Sequence, residues 1–295
     1  MIVGIVGLGH WGKNLLRTFN ELGFGVIYYD VEAREAPNSV SSLDKLIRRS
    51  DLIVISTPTN THYNICKTAL EYGKHVFCEK PLDTVSERAH ELYCIAAQNN
   101  RTLFVDNTYL YNNRVIQYVH TIRANESDVV HLDIDWYNKY LPRTDVNVAW
   151  DLAYHAICIA DYLTLHKKIV NVNAGGLRKR GNDLPHDFVV LSIEYEGGIT
   201  LYGKFSWLDA EKTRRINVLT ESGYNYVFDE IKQEIRAFND KCEQYSCYRF
   251  AKTNPLKRAC EKFIECVEKG VLTPQKEISL KAVETLETCQ RILEF

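Results

Sequence analysis

An apolar run, Ile2–Val6, leads straight into Gly7-Leu-Gly9-His10-Trp11-Gly12 and then into a helix-like pattern. Three glycines at this spacing between a strand and a helix suit a dinucleotide. Gly7 permits the tight turn, Gly9 lets the backbone approach a pyrophosphate, and Gly12 lets the helix pack on the strand. His10 and Trp11 lie inside the turn and are candidate cofactor contacts. Asp30 closes the next apolar stretch, 18 residues after Gly12. A carboxylate there bonds the adenosine ribose hydroxyls and repels a 2′-phosphate, so the pattern favours NAD. Arg34 keeps NADP open, because a guanidinium can accept a 2′-phosphate.

Three further groups could carry chemistry. Thr57, Pro58, Asn60 and His62 follow the third strand pattern, where an open α/β sheet binds ligands. Equally, Asn60 or Thr61 could simply cap the next helix. Glu79-Lys80-Pro81 follows the fourth strand. A lysine beside a cationic nicotinamide has its charge disfavoured, and it could bond a reacting hydroxyl or shuttle its proton. Read without that context, the tripeptide is an ordinary surface turn. Asp151 and His155 stand four apart on a predicted helix, so they share a face. By spacing alone they read as an ordinary i,i+4 polar pair.

The elements that must position these residues follow from periodicity. Apolar runs at Val26–Tyr29, Leu52–Ser56, His75–Cys78 and Leu103–Val105 read as strands. Helical patterns lie between them, including Thr61–Tyr72 and a helix opened by a capping box at Thr84-Val-Ser-Glu87. Alternating strands and helices predict a parallel sheet in residues 1–110. From 111 to 295 the character is α+β. Helices are predicted at Arg114–Ile122, Ala149–Leu165, Pro255–Lys269 and Ile278–Leu293. Strands are predicted at Val129–Trp136, Val170–Gly176, Phe188–Tyr195, Ile199–Trp207, Arg215–Thr220 and Tyr224–Asp229. Turn signals at Gly197-Gly198 and Ser222-Gly223 join neighbouring strands into an open, mainly antiparallel sheet.

In these motifs the chain resembles the Gfo/Idh/MocA oxidoreductases, named for glucose–fructose oxidoreductase and inositol dehydrogenase. Gly7–Gly12, Asp30, Thr57–His62, Glu79–Pro81 and Trp150-Asp-Leu-Ala-Tyr-His155 match in order. Asn107–Asn112 and Ser206–Arg215 look like a subgroup associated with nucleotide-sugar and surface-polysaccharide pathways. The resemblance implies a Rossmann dinucleotide-binding domain plus an α+β substrate domain, and a homodimer or homotetramer. It implies that Lys80 contacts the reacting oxygen and nicotinamide ribose, that His155 is the general acid/base, and that Asp151 orients substrate or imidazole. The substrate is expected to be a sugar or nucleotide sugar. Relatives often carry an acid at the positions of Ala156 or Cys158, and here the later Asp161 is out of phase. A non-sugar reductase resembling biliverdin reductase, or a nicotinamide-binding regulator without turnover, are the alternative expectations.

Substrate contacts are expected from Tyr109, Tyr137, Arg143, Asn147 and His155, with Tyr111 and Asn112 as further candidates. The polar, basic stretch Tyr137–Asn147, which includes Lys139, could hold a pyrophosphate or be a solvated loop. Trp207 with Lys212, Arg214 and Arg215 could make a nucleotide or subunit contact, or Trp207 could be core. The chain has 295 residues, with 36 Lys+Arg against 38 Asp+Glu. That balance gives no basic face for nucleic acid, and no apolar run reaches the roughly 18–20 residues of a membrane helix. The start lacks a basic leader. Nine cysteines, none in a C-x-x-C pair, point to inert thiols in a reducing cytoplasm and to no metal site.

Overall fold

A computed structural model describes residues 1–32, 37–124, 128–139, 143–249 and 253–294. Arg34 lies outside the described residues, as does the side chain of Lys139. The chain forms two compact units: Met1–Thr108 with Asn254–Val283, and Tyr109–Thr253 with Glu284–Phe295.

The first unit is built on five parallel strands in the order β2-β1-β3-β4-β5. They are β1 (Ile2–Val6), β2 (Gly25–Tyr29), β3 (Leu52–Ile55), β4 (His75–Cys78) and β5 (Leu103–Val105). Helices α1 (His10–Glu21), α2 (Leu43–Arg49), α3 (Thr59–Glu71) and α4 (Ser86–Gln98) connect them. The inner strands are apolar throughout because both faces are covered, and Val3, Ile5, Ile53, Val54, Ile55, Val76 and Phe77 are fully buried. Two helix starts differ from the sequence reading. Thr84 and Glu87 form no capping box: Val85 is the N-cap residue without a side-chain bond, and Asp83 accepts from Val85 N instead, at 2.8 Å. Helix α3 begins at Thr59, so Asn60 and Thr61 fall inside its first turn rather than capping it.

Helix α7 (Pro255–Glu268) belongs to this first unit, although the sequence reading grouped it with everything after residue 110. Asn254 accepts from Lys257 N at 3.1 Å and Pro255 opens the first turn, so the helix start is well defined. Leu256, Ala259, Cys260, Phe263 and Cys266 recur on one buried face. Phe263 lies 5.6 Å from Phe77 and 5.8 Å from Phe104, whose rings stack on each other at 5.3 Å. The segment after α7 is tied to β5 through the backbone: Leu103 N donates to Leu272 O at 2.7 Å.

The second unit holds an eight-stranded sheet in the order β13-β12-β11-β10-β6-β9-β8-β7. Its strands are β6 (Val129–Lys139), β7 (Ile169–Leu177), β8 (Phe188–Tyr195), β9 (Thr200–Ser206), β10 (Leu208–Thr220), β11 (Asn225–Asp229), β12 (Glu234–Phe238) and β13 (Gln244–Arg249). All neighbours are antiparallel except β6 and β9. One face is apolar, with Leu132, Ile134, Trp136, Leu201, Phe205, Ile216 and Val218 buried. Helices α5 (Asn113–Ala124) and α6 (Tyr154–Leu163) pack against this sheet. The other face carries Asp133, Asp135, Tyr202, Lys204 and Arg215, which are half-buried or exposed. Strands β12 and β13 escaped the sequence reading. β13 is almost wholly exposed and has no apolar face to signal it, and β12 buries only Ile235 and Ala237. The last helix, α8 (Lys276–Glu294), is divided between the units after Val283.

Among the described residues, no helix is long and apolar enough to cross a membrane. No group of three or more His, Cys, Asp or Glu among them could hold a metal ion. Truncating Phe263→Ala removes the ring that joins α7 to β4 and β5. It is expected to cost about 3–5 kcal/mol, measured by urea unfolding; a cost under about 1 kcal/mol would mean that α7 is not part of this core.

Candidate functional site

In the first unit the candidate residues gather at the carboxyl edge of the parallel sheet. Gly7 turns the chain with φ +90°, a conformation that side chains disfavour. A Cβ at Gly12 would lie 2.0 Å from Gly7 O, so α1 starts closer to β1 than any other residue type permits. A Cβ at Gly9 would meet no atom within 4 Å, which leaves open space over the turn. Gly9 is also the N-cap of α1, and no side chain caps that helix. Its first N–H groups and the positive end of its dipole therefore suit a phosphate. Asp30 braces the turn, accepting from Leu8 N at 2.6 Å and from Glu32 N at 2.7 Å. His10 and the half-exposed Trp11 meet edge to face at 5.8 Å on the first turn of α1. An uncapped helix start, open space at Gly9 and an acid at the end of β2 fit a dinucleotide.

Next along the edge, the Thr57 and Thr61 hydroxyls bond each other at 2.6 Å, and Thr61 donates to Pro58 O at 2.7 Å. His62, expected at the cofactor, is turned inward and buried. Its Nδ1 lies 2.9 Å from Pro81 O and its Nε2 2.9 Å from Thr57 O. A neutral ring donates to one of these carbonyls and a protonated ring to both. In either form His62 links the turn after β3 to the turn after β4, so it positions Lys80 and Pro81 rather than facing a ligand.

Glu79 is likewise directed inward. Its Oε1 is buried beside Asp106, a residue that motif reading missed. Burial first, then the Asp106 charge, push the Glu79 carboxyl well above its ordinary range, with Lys80 acting in the opposite direction. Burial also pushes Asp106 up to about 6, against the Thr108 hydroxyl, Glu79 and Lys80. The signal in the sequence was an acid following directly on the apolar run Leu103–Val105 at the carboxyl end of a strand.

In the second unit, Asn147 Oδ1 accepts from Ala149 N at 3.0 Å and Trp150 N at 3.2 Å. It fixes the start of a π-helical turn, Ala149–Ala153, which runs on into α6. Asn147 is thus a buried helix-start residue, with its side-chain oxygen taken by the backbone. Asp151 accepts from Trp207 Nε1 at 3.0 Å and has Arg143 Nη1 at 3.6 Å. Arg143 is also paired with Asp145, its Nε donating to Oδ1 at 2.9 Å. Trp207 is fully buried, which settles the choice between core and surface contact. Arg180, paired with the buried Asp187, lies over the Trp207 ring at 5.7 Å.

The His155 ring packs 4.7 Å from the Tyr109 ring, which also meets Trp136 at 5.0 Å. The Tyr109 hydroxyl donates to Glu230 at 3.1 Å, and Asn112 Nδ2 donates to the same carboxylate at 3.3 Å. Burial and the Glu230 charge push the Tyr109 hydroxyl up, so it stays a donor. Tyr137 is not brought to this group. Strand alternation places it on the face opposite Trp136, where its hydroxyl donates to Asp135 at 2.6 Å. Arg214 is buried over Trp136 and donates to Tyr137 O at 2.6 Å, while Lys212 and Arg215 are exposed. Asp161 is buried and engaged with His166.

Comparison with known proteins agrees with this geometry. Residues 1–107 match the oxidoreductase family with the NAD-binding Rossmann fold, GFO_IDH_MocA. The match takes in the five-stranded parallel sheet and its helices α1–α4, about a third of the chain, and ends at residue 107. The chain is 25% identical over 173 residues to UDP-N-acetylglucosamine 3-dehydrogenase of Acidithiobacillus ferrooxidans. That match covers 56% of this chain and 54% of the relative, so in sequence the chain spans about half the length of that protein. The solved structure of the Acidithiobacillus enzyme superposes with TM-score 0.88 at 20% identity, over 100% of this chain and 98% of that one. Biliverdin reductase from Synechocystis sp. PCC 6803 superposes with TM-score 0.84 at 17% identity, over 100% and 99%. At these identities the superpositions establish the fold of both units.

Two outcomes follow. Trp207→Phe keeps the ring but removes the donor to Asp151, and is expected to cost about 1–3 kcal/mol in urea unfolding; an unchanged midpoint would show that the bond contributes nothing. Asp106 binds its proton more tightly folded than unfolded. Its contribution therefore falls as pH rises through the span from 3.8 to about 6. Between pH 4 and pH 7 the native protein is expected to lose about 2 kcal/mol more stability than Asp106→Asn; parallel losses would contradict the buried carboxyl.

Proposed function

We propose that the chain is an NAD-dependent dehydrogenase or reductase that transfers a hydride between nicotinamide and a hydroxyl or ketone of a sugar or nucleotide sugar. The observation that carries the reading is Lys80 at the carboxyl end of β4, on the same sheet edge as the uncapped Gly9 turn. The likeness to UDP-N-acetylglucosamine 3-dehydrogenase supports a nucleotide sugar. Gly7, Gly9 and Gly12 receive the pyrophosphate, Asp30 the ribose, and Thr57, Pro58 and Asn60 border the nicotinamide side. When bound, the nicotinamide takes or gives the hydride.

The chain's own side chains do the rest. Lys80 donates to the reacting oxygen and stabilises it as alkoxide character develops. His155 takes the hydroxyl proton in oxidation and returns it in reduction. Asp151, held by Trp207 and Arg143, orients imidazole or substrate, and Tyr109 packs against the imidazole. Arg143 remains a candidate for an anionic part of the substrate. The polar sheet face around Tyr202, Lys204 and Arg215 is proposed as the contact of a homodimer or homotetramer. Six buried cysteines outside any disulfide, Cys66, Cys78, Cys158, Cys260, Cys266 and Cys289, are consistent with a reducing cytoplasm.

The superposition on biliverdin reductase supports reduction of a non-sugar substrate as a second reading. Nicotinamide absorbance, followed with NAD or NADP and a panel of UDP-, dTDP- and GDP-sugars, separates the two. Turnover with one sugar nucleotide is expected, reduced about 10²–10⁴-fold in Lys80→Ala and in His155→Ala. Silence across the panel, with NAD binding confirmed by calorimetry, would overturn the sugar-nucleotide reading.

A further inference from the structure

Glu79 and Asp106 leave β4 and β5 side by side. Cys78 pairs with Val105, and Asp106 N donates to Cys78 O at 2.8 Å. The next residue on each strand therefore carries a carboxyl at the same level of the sheet edge. Glu79 Oε1 and Asp106 Oδ2 are both buried, and neither accepts from any donor. The other Asp106 oxygen is served by the Thr108 hydroxyl at 2.8 Å. Two adjacent buried carboxylate oxygens without donors repel each other and have lost their water. One proton between them removes both deficits, because one carboxyl then donates and the other accepts.

The surroundings leave one charge of each sign. Besides Thr108, the groups facing the pair are the Lys80 cation, the Cys78 thiol on β4 and the Cys260 thiol on α7. Burial raises both thiols, so they stay neutral. A pair with one proton has one negative charge, which matches the single charge of Lys80. A pair with none has two, and suits a second positive charge nearby.

We propose that Glu79 and Asp106 share one proton, and that the pair releases it to solvent when oxidised nicotinamide brings its positive charge to the Lys80 end of the sheet edge. The pair takes a proton back when that charge is lost on reduction. The shared proton is a property of the first unit alone. Its response to nicotinamide rests on the reading of Lys80 given under Proposed function.

Infrared spectroscopy of the protein without cofactor tests the first part. A carbonyl band of a protonated carboxyl is expected at neutral pH, lost in Glu79→Gln and in Asp106→Asn. Its absence from the native protein, or its persistence in both variants, would overturn the shared proton. Circular dichroism of each variant guards against simple misfolding, and Asp106→Asn preserves shape. Calorimetry in two buffers of unlike ionisation heat then counts protons exchanged as NAD⁺ or NADH binds. Release of up to about one proton with NAD⁺ and less with NADH is expected, with the difference absent from Asp106→Asn. Equal counts in the native protein would overturn the coupling to the cofactor. Failure of both cofactors to bind would sink the reading of Lys80, while the infrared result would still decide the pair.

Discussion

Helix α1 stands directly over the end of β1 because nothing projects from residue 12. The space between Gly12 and Gly7 O is too small for a single methyl group. This one approach aims the uncapped start of α1 at the open space above Gly9, and it sets where Asp30 can reach back to Leu8 N. The rest of the sheet edge is registered on it strand by strand. Ser56 bonds Gly7 O at 2.9 Å, His62 ties the Thr57 turn to Pro81, and Glu79 N donates to Ile55 O at 2.9 Å. Lys80 inherits its place from this chain of short contacts, each made by backbone or by a buried or half-buried polar side chain.

The second unit solves a different problem. An aspartate on a helical turn has to keep one orientation although its backbone makes an unusually wide coil. The indole of Trp207 holds one oxygen from the sheet, Arg143 approaches the other, and Asn147 fixes the start of the coil. His155 one turn on is packed by an aromatic ring whose hydroxyl is anchored on Glu230. Flat, rigid rings and short polar anchors fix these side chains at low cost in conformational entropy.

What the sequence disclosed follows from which interactions are local. The strand–turn–helix at Gly7–Gly12, Asp30 at the end of β2 and the i,i+4 spacing of Asp151 and His155 are short-range patterns, and each could be read directly. The inward turn of His62 and Glu79 could not be read, because their partners lie on neighbouring strands or turns. Tyr137 was misplaced for a simpler reason: a one-residue step along β6 reverses the face, and Trp136 took the inner one. Asn147 and Trp207 carry residue types that suit either a ligand or a structural bond, and only the fold decides between them. Helix α7 carried a clear apolar stripe, yet a stripe does not name the surface that it covers.

The return of α7 and its following segment to the first unit has a consequence for the order in which that unit can be completed. Thr102 Oγ1, on the approach to β5, donates to Val271 O at 3.0 Å, 169 residues further on. During synthesis the five strands are all available early, but the covering that buries Phe77 and Phe104 emerges only after the whole eight-stranded sheet has been made. The nascent dinucleotide-binding half therefore spends most of translation with an aromatic surface exposed. Closing a loop of that length has to come before the covering contacts can form, and the interval is one in which a chaperone has something to hold.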